Sequence, residues 1–164
     1  MIAVADASPL CYLVLIGEID LLRHLFSRVV VPHAVILELQ HADAPAAVRT
    51  WASSLPSWIS VEQTPNVISP GMEKLQAGER AAIHLAESIK PDLIIIDEKA
   101  ARLVAANRGL SVTGILGVLG EAATRGLVDL AGAIDKLRRT TFRCSPALFK
   151  AALDCYGARP AGRR

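Results

Sequence analysis

The chain has 164 residues, enough for one domain with a single hydrophobic core. Hydrophobic residues make up 52% of it and aromatic residues only 4%, a composition that suits helices packed on a parallel sheet and does not predict extensive stacking on nucleic-acid bases. The formal net charge of +2 is too small for a protein that coats nucleic acid, although a local basic patch is compatible with it.

The first half of the chain alternates between strand-like and helical segments. Ile2–Ala5 is an apolar run that stops at Asp6, and Ser8-Pro9 then favours the start of a helix. Further β-branched or apolar runs follow, each bounded by turn residues or proline. The predicted strands are 2–5, 28–31 and 58–61, and the predicted helices are 9–15, 20–26, 33–40 and 44–53.

The second half continues this alternation and contains the clearest strand, the fully apolar run 93–96. Strands that alternate with helices predict a parallel sheet of about five strands, covered on both faces and joined by right-handed crossovers. We therefore expect an α/β fold, a Rossmann-like three-layer α/β/α sandwich, as a single domain over residues 1–155 with a basic, mobile tail over 156–164. The remaining elements are strand 110–113 and helices 79–87, 100–107, 115–125, 129–139 and 145–154.

Two aspartates follow predicted strands at the point where each strand ends. Asp6 follows the first strand, and Asp97 follows the apolar run 93–96. Ligands of an open parallel sheet bind beyond the carboxyl ends of its strands, so both residues lie where a site is expected. Asp is also a common N-cap residue, and capping of the next helix explains either position equally well.

Two glutamates extend this pair. Glu79 lies one turn before Ile83 on a helix face that otherwise looks buried, although an acidic residue in the first helical turn is favourable in itself. Glu38 lies within an apolar helix, and the alternative to a functional role is a carboxylate that faces solvent at the edge of the fold. Together the four carboxylates predict a site for a hard cation, Mg²⁺ or Mn²⁺. Such a site suits hydrolysis of a phosphodiester, in which one ion activates water and a second stabilises the leaving oxygen.

The spacing of cysteine and histidine argues against a zinc site. The three cysteines form no CxxC pair and the four histidines form no HExxH pair, so we expect reduced thiols, as in a cytosolic protein. The N-terminus lacks the basic segment and apolar run of a signal peptide, and no apolar stretch approaches about 18 residues. We expect a cytoplasmic protein that does not span a membrane.

Several ordered stretches of the chain resemble the PIN-domain family, and within it a group of short stand-alone proteins described as nucleic-acid-binding. The resemblance covers about residues 1–130 and implies a PIN-like fold, ribonuclease activity that depends on Mg²⁺ or Mn²⁺, and a toxin role restrained by a cognate antitoxin. The matching stretches are 4–10, 31–39, 75–82, 94–98 and 112–119. The residues that the resemblance marks as catalytic and metal-binding are Asp6, Glu38, Glu79 and Asp97.

The chain departs from the family pattern at two positions. Many relatives have a second Asp where this chain has Glu98, and a hydroxyl residue where it has Ile115. Ser8 and Thr113 are hydroxyl residues near the predicted site, and orientation of a ligand explains them as well as turn formation does. Ser8, Glu98 and Thr113 are therefore auxiliary candidates.

Basic residues after Asp97 are candidates for RNA contacts. Lys99 and Arg102 lie on the following predicted helix, where they approach a phosphate from the rim of the site or simply face solvent. A denser basic region is suited to non-specific attraction of RNA phosphates. Its members are Lys136, Arg138, Arg139 and Arg143.

Three functions fit these residues. The leading one is a metal-dependent endoribonuclease. The second is a PIN-like nucleic-acid-binding or regulatory protein that cleaves poorly, which the two departures suggest, and the third is a metal-dependent phosphatase acting on small esters. RNA is the expected partner, with a cognate antitoxin and a homodimer as further partners. The apolar Leu21, Leu22 and Phe26 fit a dimer face and core packing equally well.

Overall fold

Five parallel strands form the centre of the fold in the computed structural model, which describes residues 1–156. The strands are β1 (Ile2–Ala5), β2 (Arg28–Pro32), β3 (Ile59–Glu62), β4 (Leu93–Ile95) and β5 (Val112–Thr113). They lie in the order β3-β2-β1-β4-β5, so β1 is central. Its Val4 pairs with Val30 of β2 on one side and with Ile94 of β4 on the other. The predicted parallel sheet is confirmed.

Nine helices connect and follow the strands within the described residues. They are α1 (Ala7–Leu15), α2 (Leu21–Leu25), α3 (His33–Gln40), α4 (Ala46–Ser53), α5 (Ala77–Ile89), α6 (Lys99–Asn107), α7 (Ile115–Thr124), α8 (Leu130–Arg138) and α9 (Pro146–Tyr156). Every boundary lies within two residues of the predicted one. Helix α5 begins earlier than predicted because Gln76 and Glu79 form a capping box, in which Glu79 Oε2 accepts a hydrogen bond from the backbone N–H of Gln76 at 3.1 Å.

Alternate residues of the strands point to opposite faces of the sheet, as the pleat requires. The core on one face contains Ala3, Ala5, Val29, Val31 and Ile95 and is covered by α1 to α4 and α7 to α9. The core on the other face contains Val4, Val30, Ile94 and Ile96 and is covered by α5 and α6. Each fully buried Val or Ile stabilises the fold by about 1.5–3 kcal/mol. The predicted three-layer α/β/α sandwich is therefore confirmed.

The apolar residues considered for a dimer face belong to this chain's own core. Leu22 is fully buried, and Leu21 and Phe26 are each 6% exposed. Core packing is thus the correct one of the two interpretations, and a homodimer through other surfaces stays a prediction. None of the helices in the described range combines the length and the apolar character that crossing a membrane requires. The predicted tail lies outside the described residues except for Tyr156, which is the last residue of α9.

The site predicted from the sequence lies at the carboxyl ends of the two central strands. The backbone N–H of Asp6 donates to the carbonyl oxygen of Ile95 at 3.0 Å, so β1 and β4 stay paired up to the residue that follows β1. Helix α1 begins at Ala7, shortly after β1, and α6 begins at Lys99, shortly after β4. This pairing places Asp6 and Asp97 at the same edge of the sheet.

Candidate functional site

Asp6 is the most deeply buried carboxylate of this edge, with 4% of its surface exposed. It occupies the N-cap position of α1, but its side chain makes no capping hydrogen bond, and its Oδ1 is buried without a partner. Burial raises the pKa of the Asp6 carboxyl to about 7; the N–H of Ala7 opposes this shift, and the charges of Glu38, Glu79 and Asp97 add to it. Capping therefore does not explain Asp6, and its carboxylate lies in a strongly negative environment.

Asp97 is held by a helix other than the one it precedes. Its Oδ1 accepts a hydrogen bond at 3.0 Å from the N–H of Ile115, the first residue of α7, while Glu98 occupies the N-cap position of α6. Its Oδ2 is buried without a partner. Burial raises the pKa of the Asp97 carboxyl to about 6, against the lowering effects of the Ile115 N–H and of the Arg102 charge. One oxygen of Asp97 is thus fixed and the other is free.

Glu38 and Glu79 meet at the start of α5. Glu38 Oε1 accepts a hydrogen bond at 3.0 Å from the N–H of Gly78, and Glu79 Oε2 accepts one at 3.1 Å from the N–H of Gln76. Burial raises the pKa of both glutamates, and these N–H groups oppose the shift. Glu79 therefore does stabilise the first turn of its own helix, as the alternative interpretation holds. It also lies beside Glu38, whose negative charge further raises the pKa of Glu79.

Two glycines allow this close approach of carboxylate to backbone. A Cβ atom at Gly78 would clash with the Glu38 carboxylate, and a Cβ atom at Gly114 would clash with Asp97 Oδ1. Both glycines lie where a helix begins, α5 and α7 respectively. Free N–H groups and the helix dipole favour negative charge at such positions. These N–H groups therefore offset part of the effect of burial, which still raises the pKa of all four carboxyls.

The acidic side chains border a cavity of about 250 Å³. Asp6, Glu38 and Glu79 form its negative part, and Asp97 lies outside the lining but close enough for its charge to act on Asp6. The remaining lining is largely small or apolar. It consists of Ala7, Ser8, Cys11, Tyr12, Leu39, Ala44, Pro45, Val48 and Gln76.

The four carboxylates fit a hard cation in their chemistry. They supply oxygen donors, which Mg²⁺ and Mn²⁺ prefer, and the buried oxygens of Asp6 and Asp97 that lack partners are free to bind. Within residues 1–156, however, no three Asp, Glu, His or Cys side chains already have the arrangement of a metal site.

The auxiliary candidates lie in three different surroundings. Ser8 lines the acidic cavity. Glu98 is exposed at the start of α6, and its charge raises the pKa of Glu79, so it belongs to the outer edge of the acidic group. Thr113 lines a separate cavity of about 370 Å³, between β5 and α7, rather than the acidic one. Among the three, Ser8 has the position expected of a residue that contacts a ligand.

The candidates for RNA contacts also differ in exposure. Lys99 is exposed at the first position of α6. Arg102 is partly buried, and its Nη1 donates to the carbonyl oxygen of Ile96 at 3.0 Å. In the basic region, Arg139 pairs with Asp135 at 2.7 Å, whereas the guanidinium of Arg138 lies 4.8 Å from the ring centre of Phe149.

Tyr12 was missed by the sequence reasoning. It lines the acidic cavity, its hydroxyl oxygen lies 3.0 Å from Thr141 Oγ1, and its ring meets that of Phe142 edge-on at 5.2 Å. The signal for it was present, because Tyr12 follows Ser8 by four residues and so lies on the same face of α1. Tyr12 thus joins the wall of the cavity to the segment that carries Arg143.

Comparison with known protein families decides the classification. A family model described as a PIN domain matches residues 2–158, nearly the whole chain. The chain belongs to the PIN-domain family. PIN domains are generally nucleases, which typically use divalent metals, and membership implies a nucleic-acid substrate. Searches of curated proteins and of solved structures gave no significant match.

Proposed function

We propose that this PIN-domain protein is a metal-dependent endoribonuclease that hydrolyses phosphodiester bonds of RNA. Asp6, Glu38, Glu79 and Asp97 are its catalytic residues and bind Mg²⁺ or Mn²⁺ directly or through water. The observation that carries the proposal is the pair of buried carboxylate oxygens without partners, Asp6 Oδ1 and Asp97 Oδ2, within one strongly acidic group. Buried groups of this kind need a compensating partner, which a divalent cation provides.

The chain's own residues orient this site. A bound divalent cation supplies polarisation of the phosphate and activation of the attacking water. The N–H groups of Gly78 and Ile115 hold one oxygen each of Glu38 and Asp97, which leaves the second oxygen of each side chain to face the ligand. Because the acidic group alone repels a phosphate backbone, RNA binding at this position requires the cation.

Positive charge beside the site supports a nucleic-acid substrate. Lys99 is exposed just beyond Asp97, and Arg143 is exposed on the segment that Tyr12 and Phe142 attach to the wall of the cavity. Arg143 donates its side-chain hydrogen bonds to backbone carbonyl oxygens of Thr140 and Phe142, which leaves its charge available to a phosphate. These contacts are sequence-independent and give affinity rather than base recognition.

The resemblance to ribonuclease toxins extends the proposal to a cellular role. Under this proposal the protein acts in the cytoplasm as the toxin of a toxin–antitoxin pair, and a cognate antitoxin blocks the acidic cavity. Expression of the parent chain alone should then arrest growth, whereas Asp6→Asn should not. A small antitoxin-like gene next to this one, whose co-expression restores growth, is the second expected result. Growth arrest by both chains would contradict a role of the site in toxicity.

A comparison of substrates separates the proposed function from its two alternatives. The parent protein is incubated with Mn²⁺ and, in turn, with single-stranded RNA, single-stranded DNA and a small phosphate ester. Internal cleavage of RNA is the expected result. RNA binding without cleavage would favour the regulatory protein, which is the second candidate because Glu98 and Ile115 depart from the family pattern. Turnover of the small ester alone would favour the phosphatase.

A further inference from the structure

Arg102 lies against the same glycine as Asp97. A Cβ atom on Gly114 would lie 2.6 Å from Arg102 Nη1 and would also clash with Asp97 Oδ1. The φ angle of Gly114 is −120°, an extended conformation that any residue adopts, so the need for glycine comes from this crowding and not from the backbone. The guanidinium and the carboxylate therefore converge on one point at the start of α7.

The hydrogen bonds around this point hold the end of β4. Arg102 Nη1 donates to the carbonyl oxygen of Ile96, the residue just before Asp97, and Asp97 Oδ1 accepts from the N–H of Ile115. The strand end is thus tied to α6 through Arg102 and to α7 through Asp97. Since Ile96 also donates its own N–H to Thr113 at 2.8 Å, the backbone before Asp97 is fixed on both sides.

We propose that Arg102 is a positioning residue for the metal site, which orients Asp97 and supports its negative charge without occupying its free oxygen. This inference rests on the proposed function, because it takes Asp97 as a ligand. Asp97 Oδ2 stays buried without a partner although a guanidinium lies nearby, so the arrangement leaves that oxygen for a cation. Arg102 is partly buried and its Nη1 is bonded to the Ile96 carbonyl oxygen, whereas Lys99 on the same helix is exposed and is the better candidate for an RNA contact.

Arg102 contributes a hydrogen bond to the Ile96 carbonyl oxygen and a positive charge close to Asp97, and two variants separate these contributions. Mutation of a residue that positions a metal ligand typically weakens metal affinity by about 10–100-fold. Arg102→Gln retains a donor for the Ile96 carbonyl but lacks the charge, and Arg102→Ala lacks both.

The test measures Mn²⁺ affinity by electron paramagnetic resonance in the absence of RNA, and then the KM for RNA at saturating Mn²⁺. We expect Arg102→Ala to weaken Mn²⁺ binding about 10–100-fold, with Arg102→Gln and Gly114→Ala in between, and to leave the KM for RNA unchanged. Arg23→Ala, which removes an exposed arginine of α2, is the matched control and should bind Mn²⁺ as the parent does. In the metal-free protein, the Ile115 amide should exchange with solvent faster in Arg102→Ala than in the parent.

Three results would overturn the inference, and they are distinguishable. Unchanged Mn²⁺ affinity in the folded Arg102→Gln variant, together with a raised KM for RNA, would make Arg102 an RNA contact. If Asp97→Asn also binds Mn²⁺ with the affinity of the parent, the proposed metal site itself fails, and the inference fails with it. Weakened binding in Asp97→Asn but not in the Arg102 variants overturns the inference alone.

Discussion

The carboxylate of Glu38 accepts a hydrogen bond at 3.0 Å from the backbone N–H of Gly78, forty residues further along the chain. This contact joins the last turn of α3 to the first turn of α5 and brings Glu38 beside Glu79. It depends on the absence of a side chain at position 78, because a Cβ atom there would clash with the carboxylate. The position of Glu38 beside Glu79 therefore depends on one glycine.

Replacement of Gly78 by alanine should displace Glu38 from the site. Helix propensity alone favours alanine over glycine by about 1 kcal/mol, so the variant should fold. The displaced carboxylate should lower Mn²⁺ affinity and the rate of RNA cleavage, each by about 10-fold or more, as expected when a metal site loses its geometry. Isothermal titration with Mn²⁺ and a cleavage assay measure the two effects.

A second glycine provides the matched control for this substitution. Gly132 lies in the first turn of α8, where an added Cβ atom would lie 2.8 Å from the exposed Asp129 carboxylate. Gly132→Ala introduces the same change at the same kind of helix position outside the acidic group. It should leave Mn²⁺ binding and cleavage as in the parent. Equal losses in both variants would mean that the effect at Gly78 does not come from Glu38.

The raised pKa of Asp6 predicts how stability depends on pH in the metal-free protein. A carboxyl whose pKa rises from 3.8 in the unfolded chain to about 7 in the fold favours the fold below about pH 4. That contribution is lost as the pH rises towards and through 7. Asp6→Asn removes the charge, so at pH 8 with a chelator it should unfold at a temperature roughly 5–15 °C above that of the parent. At pH 4 the difference should largely disappear.

Addition of metal should make the parent more stable than Asp6→Asn. A ligand that binds only the folded state stabilises it by about 2.7 kcal/mol at 100 times its Kd, and the parent should gain far more from Mn²⁺ than Asp6→Asn does. Thermal unfolding at pH 8 with and without Mn²⁺ measures the reversal, and Asp20→Asn, at an exposed helix start, is the control. A parent protein that is already the more stable of the two in chelator would contradict the account of Asp6.

Arg143 should contribute to RNA affinity through phosphate attraction. Its removal in Arg143→Ala should weaken RNA binding at low salt and reduce the dependence of log K on log salt by about one unit or less, as for one lost phosphate contact. Fluorescence anisotropy in an Asp6→Asn background measures binding without cleavage. Arg125→Ala, which removes an exposed arginine paired with Glu121 on α7, is the control. An unchanged salt dependence in Arg143→Ala would exclude it from the RNA contact.

The sheet could be predicted from the sequence because its information is local. The apolar run before Asp97 and the run before Asp6 each identify a buried parallel strand, and their carboxyl ends must meet at one edge. The boundary of α5 was harder, because the capping box of Gln76 and Glu79 begins the helix before the apolar periodicity does. Local turn chemistry, rather than tertiary packing, accounts for that difference.

The contacts within the site could not be predicted, because they join residues that are far apart in sequence. The hydrogen bond from Ile115 to Asp97 and the one from Gly78 to Glu38 connect helix starts to carboxylates on other elements. Thr113 illustrates the same difficulty. Its position at the end of β5 suggests the site, but its side chain packs against Gly117 beside a different cavity.

The most direct test of the central claim is cleavage of RNA during a titration with Mg²⁺ or Mn²⁺, comparing the parent with Asp6→Asn and Asp97→Asn. The account predicts no cleavage by the parent in chelator, cleavage that rises and saturates with added metal, and a loss of at least about 100-fold in kcat/KM for each variant, a barrier change of about 2.7 kcal/mol. Cleavage by both variants at the rate of the parent, at any metal concentration, would contradict it.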